Sequence, residues 1–420
     1  MMIENKRNII QSLIDRYFFF LFIFSLIFVV LLYNLIGFQY TDEICAVLLF
    51  VLFFYAVLRT SHWGFNKVFL FTLGVFIFYT IYSILIESNT KRAIFNDLII
   101  QIKPYLGFFC VYQLKPYLDD ARKKIVKDIS LLIWIVFLLP IGIISIVNDD
   151  IMTLTMGHPA YFGIATTIVS LCYLYSCDFT GKDKVIFFII LSIGLFSGRS
   201  KFYGFFILSF FLIFFFNNIG QLRFNFKTLL LVCGMLAAIV LVAWQKISLY
   251  FYQVISDSAN IDEDMIARFV LYRTFPEILR DYFPFGSGFA SFATHSSGEF
   301  YSNLYMQYGI EGVWGISKRY TKFISDTYYP SLAQFGVMGI GLFILFWFYI
   351  SGKAIKLYKK SGQIQSKHLV TILLIIGFLA IESTTGSTFI AQGGFFLMMM
   401  LGLILADMQK EDIELKTANL

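Results

Sequence analysis

The stretch YFFFLFIFSLIFVVLLYNLI, residues 17–36, runs for twenty positions without a charge. A helix needs about 20 mostly apolar residues to cross a bilayer, where it must satisfy its own backbone polar groups. The run is too long for a signal-peptide core and no small-residue cleavage site follows it, so it reads as a retained first span. Working outward, similar runs fall near 43–58, 66–86, 95–113, 129–147, 158–177, 184–198, 201–218, 227–246, 331–350, 368–386 and 388–406. Twelve membrane-spanning helices are therefore expected. The second and seventh are short, and the fourth is interrupted by Lys103-Pro104.

Composition agrees. The 420 residues are 58% hydrophobic and only 14% charged, against about 25% charged in soluble domains. A chain this apolar has lipid for most of its surface. Its net charge of +6 matters less than where the bases stand. With the N-terminus inside, 21 of the 33 Lys and Arg fall in segments that are then cytoplasmic, from Lys6, Arg7 and Arg16 to Lys410 and Lys416. Thr41-Asp42-Glu43 and Asn148-Asp149-Asp150 then fall outside. This is the bias that orients membrane proteins, and among short loops only Lys91-Arg92 and the Arg199 turn depart from it. The expectation is an all-α polytopic membrane protein with both termini cytoplasmic. No basic face suits a nucleic acid. The five cysteines lie in or beside apolar runs with no CxxC pair, as small buried hydrophobes do.

The chain divides into spans 1–9 (residues 1–246), a large extracytoplasmic segment (247–330), and spans 10–12 with a cytoplasmic tail (331–420). The middle segment is rich in Tyr and Phe, which predicts a folded element. Residues 262–282 read as an amphipathic helix whose start is favoured by Asp262, Glu263 and Asp264 through the helix dipole.

Basic residues are normally depleted from the outer face, so those that remain there point to an anionic ligand. They are Arg199 and Lys201, then Arg268, Arg273 and Arg280 on the predicted helix, then Lys318, Arg319 and Lys322. Guanidinium forks match phosphate oxygens. Pairing with Glu277, Asp281 or lipid headgroups is the structural alternative. By spacing, Arg273 and Arg280 share a helix face and Arg268 points elsewhere. Lys103, with Asp97 and Gln101 near it, marks either a helix break lining a cavity or an ion pair within the bundle. Candidate proton-handling groups are His158, in Gly157-His158-Pro159-Ala160-Tyr161, His295, and Asp326, where the chain re-enters the membrane. Each has a structural alternative, a helix cap in the case of Asp326. No two histidines have metal-ligand spacing. Asp262-Glu263-Asp264 fits D-x-D, but the helix start explains it better, so no metal and no cofactor are expected.

This arrangement resembles the superfamily of O-antigen polymerases (Wzy-type) and O-antigen ligases, polytopic bacterial membrane glycosyltransferases. Gly157-His158-Pro159 with Tyr161-Phe162-Gly163 resembles the family's His-Pro helix start. Ser197-Gly198-Arg199 resembles its Ser-Arg turn. Arg268 followed by Phe285-Gly286-Ser287-Gly288-Phe289 resembles its loop Arg and Gly-x-Gly turn. The segment from Asp326 to Gln334-Phe335-Gly336-Val337-Met338-Gly339 resembles the closing motif, in which ligases carry a His-Asn pair. Asp326 in that place favours a polymerase over a ligase. These motifs cover about a tenth of the chain.

The resemblance implies a GT-C-like helical bundle in the bacterial inner membrane. Its substrate would be an oligosaccharide on undecaprenyl pyrophosphate, joined into O-antigen, capsular or exopolysaccharide chains. Arg199, Arg268 and Arg273, with Lys201 and Arg280, would bind the pyrophosphate. Asp326, or His158 or His295, would take the proton of the acceptor hydroxyl. Lys103, Asp97 and Tyr161 would line the cavity. Transfer would be metal-independent and inverting, and the site would open sideways to lipid. A chain-length regulator and a flippase of the same pathway would be partners. The rival readings are a ligase, a flippase or transporter for the repeat unit, and a scaffold of an export complex. The absence of two-half symmetry argues against a transporter.

Overall fold

The computed structural model describes residues 2–33, 40–59, 65–148, 150–215, 263–361 and 366–418, with no strand among them. The expected span 227–246 and the start of the middle segment, including Asp262, lie outside these residues.

Helices form where apolar runs were expected. They are α1 (Met2–Phe24, extended by a π-helical stretch Ser25–Leu31), α2 (Thr41–Arg59), α3 (Lys67–Leu85), α4 (Lys91–Leu114) and α5 (Asp120–Ile133, running on to Ile144). α6 (Pro159–Ser176), α7 (Gly181–Ser192, ending in a 3-10 turn at Ser197) and α8 (Ser200–Phe215) follow. After α9 (Glu263–Asp281) come α10 (Gly336–Ser361), α11 (Ser366–Glu382) and α12 (Gln392–Ala418). Among the described residues seven helices are long and apolar enough to cross a membrane: α1 to α5, α10 and α12. The protein is thus a helical, membrane-embedded chain.

The bundle has an inside and a lipid side. In α12, 94% of the apolar window is buried, against 17% in α10. Phe162–Tyr175 of α6 are buried without exception. α12 packs along α4, where a Cβ on Gly402 would stand 2.5 Å from the Phe108 carbonyl oxygen. α10, by contrast, turns Leu345 and Phe348 outward.

Two expectations are corrected here. α4 is continuous through Pro104. A proline removes one ladder hydrogen bond, and the packing of α4 against α12 and α2 holds the helix across that gap. The eleventh apolar run was expected to reach residue 386, yet α11 ends at Glu382. The polar run Ser383-Thr384-Thr385-Gly386-Ser387 forms a loop instead.

The described part of the middle segment, from Glu263 on, is folded. α9 coincides with the predicted amphipathic helix and buries Ala267, Leu271 and Ile278 against Phe292, Tyr305, Ile316 and Ile324. This core docks on the α3–α4 turn. Asn89 Nδ2 donates to the Ala290 and Phe300 carbonyls (2.8 and 3.0 Å), and Ser88 Oγ to the Phe289 carbonyl (2.8 Å). The Gly286-Ser287-Gly288 turn then meets the Gln334-Phe335-Gly336 turn backbone to backbone. Gly288 N–H donates to the Gln334 carbonyl at 2.9 Å, and Ser287 N–H to that of Ala333 at 3.3 Å.

Candidate functional site

Four separate segments converge at one end of the bundle. The first is the turn before α6, where His158 caps the helix by accepting the Ala160 N–H at Nδ1 (3.2 Å). The second is the turn before α8. Gly198, at φ +65, reverses the chain there and leaves Arg199 at the helix start. Arg199 Nη2 lies 2.7 Å from His158 Nε2. A neutral imidazole has a single acceptor nitrogen, so whichever tautomer it adopts, it serves one of these two donors at a time.

The third segment is α9 with the strap that follows it. Arg268 Nη2 pairs with Asp326 Oδ2 at 2.8 Å. Tyr272, one turn on, donates to the Thr384 carbonyl at 2.6 Å. The fourth is the loop after α11. Buried Glu382 accepts from Lys201 Nζ at 2.7 Å and from Thr388 Oγ1 at 3.3 Å. Lys201 also donates to the Thr385 carbonyl at 3.2 Å, and Ser387 Oγ to the Ser325 carbonyl.

His158 links the parts electrostatically. Desolvation by the protein around it comes first and the charge of Arg199 next. Together with Lys201 and Arg268, and against the opposing pull of Asp326, they lower its pKa to about 4. The imidazole is therefore neutral near pH 7 although its edge is open to solvent. Tyr161 lies one helical turn from His158, its ring edge-on at 6.4 Å, and within electrostatic reach of Asp326.

His158, Tyr161, Arg199, Lys201, Arg268 and Asp326 thus share one site. Lys201 enters it with its charge already matched by Glu382, so it ties α8 to α11. The other candidates lie elsewhere. Arg273 is exposed on α9. Arg280 pairs with its neighbour Asp281 at 2.9 Å. The helix face that reaches the site is that of Arg268 and Tyr272, about a third of a turn round from the Arg273–Arg280 face. His295 is exposed beside Glu299 (3.7 Å) on a separate polar depression.

Lys103 and Asp97 are not partners. Lys103, buried in α4, pairs with Asp42 and with Glu43 (2.6 Å), both in the first turn of α2. These acids were expected in an outside loop, but Asp42 is buried, because a cation from the neighbouring helix compensates it. Asp97 accepts the Ala290 N–H at 2.8 Å and anchors the middle segment. Neither lines the His158 site.

Sequence reading missed Glu382 and the loop after it. The available signal was the unbroken polar run Glu382–Thr388 between two apolar stretches. It also missed a groove of about 280 Å3 between α3, α4 and α10. Val75, Phe76, Leu342 and Phe346 give it apolar walls, with Gln101, Tyr105 and Tyr328 at its inner side. Among the described residues no three His, Cys, Asp or Glu side chains gather as metal ligands would. Compared with known proteins, the chain matches no family model and no curated sequence.

Proposed function

We infer that this chain is a membrane glycosyltransferase of the polymerase type. It joins oligosaccharide repeat units carried on undecaprenyl pyrophosphate, at the outer face of a bacterial inner membrane. One observation carries the reading. Arg199 and Arg268 arrive from different parts of the chain to flank a neutral imidazole and one carboxylate.

In this reading the donor pyrophosphate is an acceptor that both guanidinium groups share. Its oxygens take the N–H groups of Arg199 and Arg268 in bidentate, charge-assisted bonds. As Arg268 turns to phosphate, it gives up Asp326. The freed carboxylate then orients the acceptor hydroxyl and takes its proton as that oxygen attacks the anomeric carbon. The pair seen here is thus the resting state, and the base becomes available when the donor binds. His158, neutral at physiological pH, keeps Arg199 in place without adding a charge. Negative charge on the departing pyrophosphate is stabilised by the two guanidinium groups. The apolar groove between α3, α4 and α10 supports a substrate with a hydrocarbon anchor, since Tyr328 in its wall is two residues from Asp326. Twelve spans, with segment 247–330 outside and both termini inside, complete the proposal.

The test is deletion of the gene in its host, followed by electrophoresis of the surface glycan and the lipid-linked pool. Wild type should restore a polymer ladder, and Arg199→Ala should leave single repeat units. Long lipid-linked chains that never reach an acceptor would point to a ligase. Repeat units trapped on the cytoplasmic face would point to a flippase.

A further inference from the structure

The depression beside His295 differs in chemistry from the arginine site. Its volume is about 220 Å3, below the roughly 300–1,000 Å3 of pockets for drug-sized ligands. It therefore suits one ring. Two segments form its wall, Thr294–Glu299 and Thr321–Ser325. Both rest on the packed core of the middle segment, so the shape is fixed before a ligand arrives. Ser297 Oγ and the Ala293 N–H bond to the buried Tyr305 hydroxyl at 2.7 and 3.0 Å, and Thr294 and Ser297 cap each other.

The polar groups decide the ligand class. Glu299 holds an acceptor in place, with Asn96 Nδ2 at 3.3 Å and His295 Nδ1 at 3.7 Å. His295 lines the depression beside it and is exposed. Thr321 and Ser325 offer hydroxyls that both donate and accept. Buried Ile324 offers an apolar surface. A carboxylate here disfavours phosphate. Hydroxyl, imidazole and carboxylate groups beside an apolar residue suit a polyhydroxylated ring with a C–H face. Ser325 is also the residue before Asp326, so the depression adjoins the carboxylate that acts on the acceptor.

We propose that this depression binds one neutral sugar residue of the acceptor chain, a subsite that rests on the polymerase reading above. It sets which repeat unit is extended, while the arginines hold the donor.

The full-length protein in nanodiscs would be titrated with the repeat-unit oligosaccharide released from its host's surface polysaccharide, free of pyrophosphate. Binding would be followed by saturation-transfer NMR. Wild type should saturate the protons of one ring above the others. Thr321→Trp, which fills the depression, should abolish the signal. Glu299→Gln, which keeps the shape, should weaken binding about tenfold, the effect of one charge-assisted hydrogen bond. Inorganic pyrophosphate should not compete. If Thr321→Trp fails to fold, Glu299→Gln carries the test alone. The inference is overturned if wild type gives no signal, if Glu299→Gln binds like wild type, or if pyrophosphate competes. Failure of the polymerase reading shows separately, as a ladder that Arg199→Ala restores.

Discussion

His158 is the residue whose charge depends most on its neighbours in the site. Its pKa is lowered from the ordinary 6.5 to about 4, by desolvation first and by Arg199 next. An unfolded chain takes up the proton as pH falls through about 6.5, whereas the folded protein refuses it until about 4. Between those values the unfolded state binds more protons, so stability is present above pH 6.5 and lost as pH falls across the window. His158→Gln should flatten that part of the pH dependence of the thermal midpoint. The same group reports on the site by NMR of 15N-labelled histidine. Arg199→Gln should raise the imidazole pKa, because a neighbouring positive charge is removed. Asp326→Asn should lower it further, because the only carboxylate among its leading electrostatic partners is removed. A His158 titration unmoved by either change would mean that the two turns do not meet.

At the scale of elements, two joints are exposed to test. The first ties α2 to α4 through Lys103, Asp42 and Glu43. Removing one partner of a buried ion pair costs about 3–5 kcal/mol, whereas neutralising all partners is often tolerated. Lys103→Met should therefore melt far below wild type in detergent, and the triple change Lys103→Met, Asp42→Asn, Glu43→Gln should recover most of the loss. No recovery would show that Lys103 does more than balance charge. The second joint is the crossing of the two glycine turns. Gly336 stands at φ +59, ψ −167, a region that essentially only glycine enters. A Cβ there would lie 2.3 Å from the Pro284 carbonyl oxygen and 2.4 Å from Gly286 N. Gly336→Ala should cost at least about 1–3 kcal/mol from the backbone alone and unseat the strap that bears Asp326. Gly341→Ala, where a Cβ meets nothing within 4 Å, is the control and should melt like wild type. These joints also show where sequence reading succeeds. Apolar runs locate helices because span length is set by bilayer thickness, and α9 was legible from its periodicity. Pairings were not. Asp42 and Glu43 look like a solvated loop until Lys103 is brought beside them. Glu382 disappears inside an apolar average. Arg268 was set apart from Arg273 and Arg280 by spacing, but which face meets the site depends on Asp326, 58 positions away.

For the whole molecule the question is polarity. The site gathers the turns before α6 and α8, the middle segment and the loop after α11. At another end of the bundle α1 and α12 both meet the turn after α4. Gln11 Nε2 donates to the Lys115 carbonyl at 3.1 Å, Asp15 accepts the Tyr117 N–H at 2.9 Å, and Lys410 Nζ lies 3.1 Å from the centre of the Tyr117 ring. Lys367 joins from α11, donating to the Cys177 carbonyl at 2.8 Å. Lys115, Lys367 and Lys410 are among the bases that the charge bias assigns to the cytoplasm. Contacts between distant residues thus group the segments as charge counting does, although one rests on packing and the other on sequence alone. Impermeant maleimide on intact spheroplasts separates the two sides. The four described cysteines are buried, so a Cys233→Ser background should label weakly. Lys318→Cys, exposed in the middle segment, should label in intact spheroplasts. Lys359→Cys, exposed at the end of α10, should label only after lysis. The reverse pattern would put the arginine site in the cytoplasm, facing soluble nucleotide sugars, and the lipid-pyrophosphate reading would fall.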